Sequence, residues 1–421
     1  MASNSQPPPP AKRAAPPSST FILDLGDDLL LVIFLRLPSL PSLVRAAISC
    51  RAFLAAVRSS PAFRRQFRAF HPPPLLGIFF DYNGRESPCF TPVLRRSDPD
   101  HAAALRGADV FLTRVPHRDD AFPGWRIEDF RGGRLLLQNF STEQIAVYNP
   151  LSRTLDLVPI WPDEIARGRR GKVHITSFFL IASDEAGSFR VVCFCHDKSR
   201  VRAAVYSSST GEWQILPWSV PARGRPARDK IWLLGGWQVN GRLYWAHSRE
   251  AYMVVMDTAV LQFSFIDLPE HLKGQGHLYA AGEAKDGELC IVSVVEFVLF
   301  VWFRRADADG VTQWMIDDVI PLEEELLRAT EGSRDDHSEL KVLKVLDGIV
   351  YLCTFETFID PEVPCWYLSY CLETRKLEKL FLKKDSGHDH AYIVAWPTCL
   401  VNNNMRPGLS GAKIQQNVGY G

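Results

Sequence analysis

One pattern limits what this 421-residue chain can fold into: a Gly-centred turn, a short apolar run, then a second run, repeated along most of its length. Gly132 and Gly133 lead into 134–137, then 145–150, then 157–159. Asn240 and Gly241 lead into 242–245, then 253–258 and 266–269. Asp286 and Gly287 lead into 288–291, then 298–303 and 314–316. Asp347 and Gly348 lead into 349–352, then 366–370 and 377–380. A fainter copy runs through 189–195, 203–206, 211–213 and 216–217. Gly after Gly, Asn or Asp is what a tight hairpin needs, because its central residues take positive φ. The turn glycines recur about every 45–60 residues once a missed copy is allowed for, the length of a propeller blade of three or four strands. At that period the region makes roughly six or seven blades. Radial closure also leaves only short, protected sheet edges. The alternative is a pair of β-sandwich or jelly-roll units.

Other strand-like runs lie at 75–80, 110–112, 175–181 and 392–395. The apolar stretch 289–303 is broken by Glu296 and is shorter than the roughly 20 residues a membrane helix needs, so it reads as two buried strands.

The N-terminal part has a different texture. Residues 1–21 are rich in Pro, Ser and Ala and read as a disordered tail, with a transit peptide as the alternative. Asp27 and Asp28 then stand where a helix N-terminus favours carboxylates. Leu29, Leu30, Ile33, Phe34 and Leu37 follow on one broad stripe, and Pro38 ends the helix. Residues 39–42 read as a turn. A second helix carries Leu43, Val44, Ala47 and Ile48, and a third Phe53, Leu54 and Val57. Ser60 and Pro61 read as an N-cap and a first helical residue, opening a short helix with Phe63, Phe67 and Phe70 on one side. A module of about 50 residues buries little surface by itself. Its apolar surplus is covered either by the chain's own β domain or by a partner chain, and periodicity does not choose between them.

Residues 25–38, 43–53 and 59–63 resemble the F-box: an acidic pair, an aliphatic helix ending in Arg36-Leu37-Pro38, a helix leading into Cys50-Arg51-Ala52-Phe53, and a late Phe63. The version here looks like the large plant F-box families, and the second half of each β repeat resembles their F-box-associated or kelch-like repeats. The chain departs from the pattern at Gly26, where proline is usual, and at Phe53, where tryptophan is common. Both departures are expected to weaken adaptor affinity. The resemblance implies that Leu25, Leu29, Leu30, Ile33, Leu37, Leu43 and Phe53 form the adaptor contact or the core beneath it.

Little in the sequence suggests catalysis. Cys193, Cys195 and His196 lack the second ligand pair of a structural zinc site and read as buried strand residues. His388, Asp389 and His390 read as a polar loop. Glu323–Glu325 reads as a solvated face of a short helix or loop. No nucleophile elbow, zinc-protease helix or phosphate-binding loop stands in the required context. The nine cysteines, odd in number, fit reduced thiols in an intracellular protein. The 48 basic and 48 acidic residues give no whole-chain field toward nucleic acid or membrane. The basic clusters 167–170 and 223–228 read as solvated loops. The eleven tryptophans read mostly as inter-blade core.

The expected fold is therefore α plus all-β: a helical module at 22–70, a β-propeller-like recognition domain at 75–400, and a disordered tail at 401–421. The resemblance implies a non-catalytic, cofactor-free substrate receptor, placed in the cytoplasm or nucleus. It would dock a Skp-family adaptor, and through it cullin and RING subunits, while the β domain holds a target protein. A scaffold outside ubiquitination and a propeller hydrolase or oxidase are the alternatives.

Overall fold

The computed structural model describes residues 25–71, 74–81, 86–93, 99–116, 124–182, 187–220, 231–275, 278–285, 287–306, 312–332, 339–355, 364–384, 388–394, 396–397 and 400. Both expected tails, the cluster 223–228, Asp286 and Cys399 lie outside them. Two compact units emerge, Met1–His71 with Pro397–Gly421, and Pro72–Trp396.

The first unit holds four short helices: α1 (Asp27–Leu35), α2 (Leu40–Ser49), α3 (Arg51–Ser59) and α4 (Pro61–Phe70). Helix α1 packs on α3 and α4, and α2 on α3. Leu30, Phe34, Leu43, Ala47, Val57, Phe63 and Phe67 form its interior, with Phe34 edge-on to Phe53 at 5.4 Å. Residues 39–42 are not a separate turn. Ser39 caps α2, its Oγ accepting from Ser42 N at 3.4 Å, and Pro41 sits in the first turn, where no N–H is required. Ser60 caps α4 as expected, accepting from Phe63 N at 3.2 Å. Phe70 leaves the stripe of Phe63 and Phe67 and is exposed, because α4 outruns what its neighbours can cover.

The second unit is a six-bladed β-propeller. It begins with β1 (Leu75–Asp81), β2 (Cys89–Pro92) and a short α5 (Pro99–Gly107). Blade 1 is β3 (Trp125–Arg131), β4 (Arg134–Asn139), β5 (Ile145–Asn149) and β6 (Thr154–Val158). Blade 2 is β7 (His174–Ala182), β8 (Phe189–His196), β9 (Val201–Ser207) and β10 (Glu212–Ile215). Blade 3 is β11 (Leu233–Val239), β12 (Arg242–His247), β13 (Tyr252–Asp257) and β14 (Gln262–Asp267). Blade 4 is β15 (Tyr279–Glu283), β16 (Leu289–Val295), β17 (Val298–Ala306) and β18 (Thr312–Pro321), with α6 (Glu323–Thr330) after it. Blade 5 is β19 (Glu339–Leu346), β20 (Ile349–Phe355), β21 (Pro364–Cys371) and β22 (Lys376–Lys384). Blade 6 joins the two ends of the region: β23 (His388–Ile393) pairs antiparallel with β1, which pairs with β2. The segment 388–390 is therefore the inner strand of the closing blade and not a polar loop. Residues 110–112 form turns after α5 and not a strand.

The first strand of each of blades 1–5, and β23 of blade 6, line the axis, and neighbours among them approach each other across the seams from blade 6 through blade 1 to blade 5. Middle strands are covered on both faces by adjacent blades, so they read as unbroken apolar runs. Outer strands such as β14 alternate, with one face in water. Six apolar layers fill the six seams. In the seam between blades 2 and 3, Trp245 is fully buried, stacks on Phe194 at 3.7 Å and donates its Nε1–H to Ser177 Oγ at 2.9 Å. The hairpin turns have the expected handedness, with φ of 44° and 73° at Asn240 and Gly241, and 51° and 73° at Asp347 and Gly348.

Between blades 4 and 5 the inner strands come so close that a Cβ on Gly282 would lie 2.3 Å from Val345 Cβ and 2.5 Å from its carbonyl oxygen. Backbone on one side leaves no rotamer to yield. Gly282→Ala is expected to lower propeller stability by about 1–3 kcal/mol, measured by chemical denaturation, whereas Gly211→Ala, with open space but φ of 74°, tests backbone strain alone.

Candidate functional site

Helix α1 is apolar on every face once its two opening aspartates are passed. A helix of that kind must be wrapped by protein or left with a bare face. The unit covers Leu30 and Phe34, while Leu29, Val32 and Ile33 remain 59%, 49% and 41% exposed. Spaced i, i+3 and i+4, these three side chains share one face of the helix. Ile48 of α2 is exposed as well.

Of the seven residues expected at the adaptor contact, Leu29 and Ile33 face outward, and Leu30 and Leu43 are core. Leu25, Leu37 and Phe53 are half-buried. Val32 and Ile48 were not among them, although the i+3 relation to Leu29 marks Val32. Gly26 caps α1 without a side-chain bond, at φ −63° and ψ 154°. That conformation is one proline also adopts, so the departure from the F-box pattern leaves the helix entry undistorted.

The propeller axis is the other place where polar groups converge. The inner strands β3, β7, β11 and β19 each carry a bulge, at Ile127/Asp129, Ile175/Ser177, Leu234/Trp237 and Val342/Lys344. A bulge re-aims side chains, and those of β3 and β19 carry a charged residue, Asp129 and Lys344. The Arg126 guanidinium pairs with Glu128, and Arg131 reaches Glu283 of blade 4 at 3.6 Å. Asp129 accepts from Phe130 N and, across the seam, from Leu180 N, at 2.8 and 2.9 Å. Asp81 accepts from Ile127 N at 2.5 Å, and Asp389 from the Tyr367 hydroxyl at 3.1 Å. Burial raises the Glu128 carboxyl against the pull of Arg126, and lowers the Lys344 ammonium. His390 is half-buried, and its Nε2, shielded from solvent, has no hydrogen-bond partner among the described residues. Each of these carboxylates has a hydrogen-bond or ion-pair partner.

The cysteine candidates do not assemble a metal site. Cys193 and Cys195 lie buried in the layer between blades 1 and 2, and burial pushes both thiols up, Cys195 to about 12. His196 is held with its Nδ1 3.1 Å from Asp197 O and its ring stacked on His174. Among the described residues, no three His, Cys, Asp or Glu side chains group so as to hold a metal ion. No helix among them is long and apolar enough to cross a membrane. Of the tryptophans, Trp125, Trp232, Trp245 and Trp302 are buried.

A family model described as "F-box protein AT5G49610-like, beta-propeller" matches residues 126–397, well over half of the chain. No curated protein matches. Similar solved structures include a hypothetical selenium-binding protein from Sulfolobus tokodaii, at 10% identity over 77% of each chain with a TM-score of 0.40. A quinonprotein alcohol dehydrogenase-like protein from Bacteroides thetaiotaomicron matches at 9% identity over 76% of this chain and 78% of that one, with a TM-score of 0.38. A chain of a nidogen/laminin complex matches at 10% identity over 75% and 96%, with a TM-score of 0.37. At these scores the three likenesses carry no argument about this chain.

The buried imidazoles set a pH dependence. Burial pushes His196 down to about 4 and His390 to about 3, against an ordinary value of 6.5. Folded, both are neutral; unfolded, both take up a proton near pH 6.5. The unfolded chain therefore binds more protons below that point, and stability falls as pH drops from about 6.5 toward 4, by up to about 1.4 kcal/mol per pH unit for each histidine. Chemical denaturation at pH 7 and pH 5 checks this, and His390→Gln is expected to flatten the slope.

Proposed function

The chain belongs to the F-box protein AT5G49610-like β-propeller family, and from that premise we propose that it is a substrate receptor of an SCF-type cullin–RING ubiquitin ligase. Its helical unit docks a Skp-family adaptor, through which cullin and RING subunits join, and its propeller holds a target protein. The observation that carries this reading is the apolar face of α1, with Leu29, Val32 and Ile33 uncovered in a unit too small to spare them. Placed in a partner's groove, such i, i+3, i+4 anchors supply most of the affinity of a helix contact. Leu30, Leu43 and the Phe34–Phe53 pair hold that face in shape from beneath.

In this scheme the chain performs no bond-making step. It raises the local concentration of target lysines near a ubiquitin-charged enzyme, and the rate gain is one of proximity. The domain plan follows: residues 22–70 for the adaptor and the β region for the target.

The test is a binding measurement on purified full-length protein with a Skp-family adaptor. Wild type is expected to bind, and Leu29→Asp with Ile33→Asp to lose at least about tenfold in affinity. Both side chains face solvent, so helical content and thermal midpoint should stay unchanged. Equal binding by the two proteins sinks the proposal.

A further inference from the structure

Within the propeller, β1 and β23 pair with Leu75 opposite Ile393, so the chain enters and leaves at the end where the inner strands finish. Close approaches between late residues of neighbouring inner strands, Gly282 to Val345 and Phe130 to Tyr392, show that these strands run the same way. The opposite end is built from the connectors that precede each inner strand and from the turns between second and third strands.

On blade 2 that end is strongly basic. Arg167, Arg169, Arg170 and Lys172 lie on the connector before β7, and Lys198 on the turn between β8 and β9, brought beside it by the pairing of His174 with His196. All five are exposed, and none of their side chains has a hydrogen bond or ion pair among the described residues. Two exposed carboxylates, Asp163 and Glu164, share the connector. Asp197 is buried and cancelled by Arg200. The whole chain carries no net charge, so this excess is local.

The connector is also held stiffly. The Arg202 guanidinium donates to the carbonyls of Leu216, Glu164, Ile165 and Arg167 at 2.7–3.1 Å. Arg200 donates to Gly168 O at 2.8 Å, Trp218 Nε1 to Arg167 O at 2.9 Å, and Arg170 N to Asp197 at 2.9 Å. Among the described residues Arg202 pairs with no carboxylate, so its charge adds to the excess. A loop pinned by this many bonds, whose own cations make no hydrogen bond or ion pair among the described residues, is preorganised for a ligand. Around it stand exposed apolar side chains, Ile160, Ile175, Val220 and Ile231, on the connectors and inner strand at the same end.

We infer that this end of blade 2 binds an acidic segment of the target protein in which Asp or Glu alternates with aliphatic residues. The inference rests on the propeller being the target-holding domain and specifies what it holds. Charge complementarity selects the carboxylates, and the isoleucines and valine take the aliphatic side chains between them. Single-stranded nucleic acid fits less well, because stacking needs free aromatic faces. Trp161 already packs on Phe178, and Trp218 lies under the guanidinium groups of Arg200 and Arg202.

The test uses the full-length chain and fluorescence anisotropy of a labelled peptide of repeated Asp-Glu-Leu, with Asn-Gln-Leu as its neutral counterpart. The acidic peptide is expected to bind at least about tenfold more tightly than the neutral one. Arg167→Glu, Arg169→Glu and Arg170→Glu together should abolish that difference while leaving thermal midpoint and adaptor binding intact. Three results would overturn the inference: equal affinity for the two peptides, a triple variant that binds like wild type, or an oligonucleotide that binds more tightly and is lost in the same variant. Adaptor binding is read separately. Its loss with peptide binding kept would remove the ligase reading alone, and the reverse would remove only this one.

Discussion

Everything in the propeller depends on one strand pairing that joins residues more than three hundred positions apart. Closing a loop of that length costs on the order of 5 kcal/mol in chain entropy. Against it stand the hydrogen bonds of β23 on β1 and the burial of Phe79 and Tyr392, both fully covered and in edge contact at 5.5 Å. Two such side chains offset the cost at roughly 1.5–3 kcal/mol each. Without that pairing, blade 6 would lose its inner strand, and the seams on either side of it would open to water. Closure also turns six blades that could not bury their faces alone into a ring in which each covers its neighbours.

A ring filled in this way leaves its axis as the one place where six strand edges meet without a further sheet to cover them. Bulges in β3, β7, β11 and β19 lie along it, those of β3 and β19 carrying Asp129 and Lys344. Buried charge is costly unless paired, and the pairs here tie blades together: Arg131 to Glu283 across the ring, and Asp129 to the backbone of β7. The axis thereby ties the blades of the scaffold together.

How much of this could be read beforehand follows from whether the signal was local. The Asn240–Gly241 and Asp347–Gly348 turns announce themselves, because positive φ at both positions restricts the residues to very few types. Helix α1 was legible from its aspartates and apolar run, as was the Ser60 cap of α4. Ring closure was not: His388–Ile393 has no hairpin signature, since its partner strand lies at the other end of the region, and its histidines make it look solvent-facing. Residues 110–112 have strand-like composition but follow α5 in a turn. Ser39 was hidden by Pro41, which suggested a break when it begins a helix. In the helical unit, the pattern includes Leu29 and Ile33 but does not say that Leu30 and Leu43 are buried, because a helix apolar all round has no stripe to orient it. The basic connector of blade 2 reads in sequence as an ordinary solvated loop, because the residues that fix its backbone, Asp197, Arg200, Arg202 and Trp218, lie more than 25 positions away.

On the reading proposed above, the two units would divide a receptor's work: the exposed face of α1, backed by the Phe34–Phe53 pair, for an adaptor, and the propeller for a target. The most direct measurement is amide hydrogen exchange on the full-length chain with and without purified Skp-family adaptor. Binding through the exposed face of α1 predicts slowed exchange in residues 25–50 with the propeller strands unchanged. No change in the helices, or protection confined to the blades, would contradict the account.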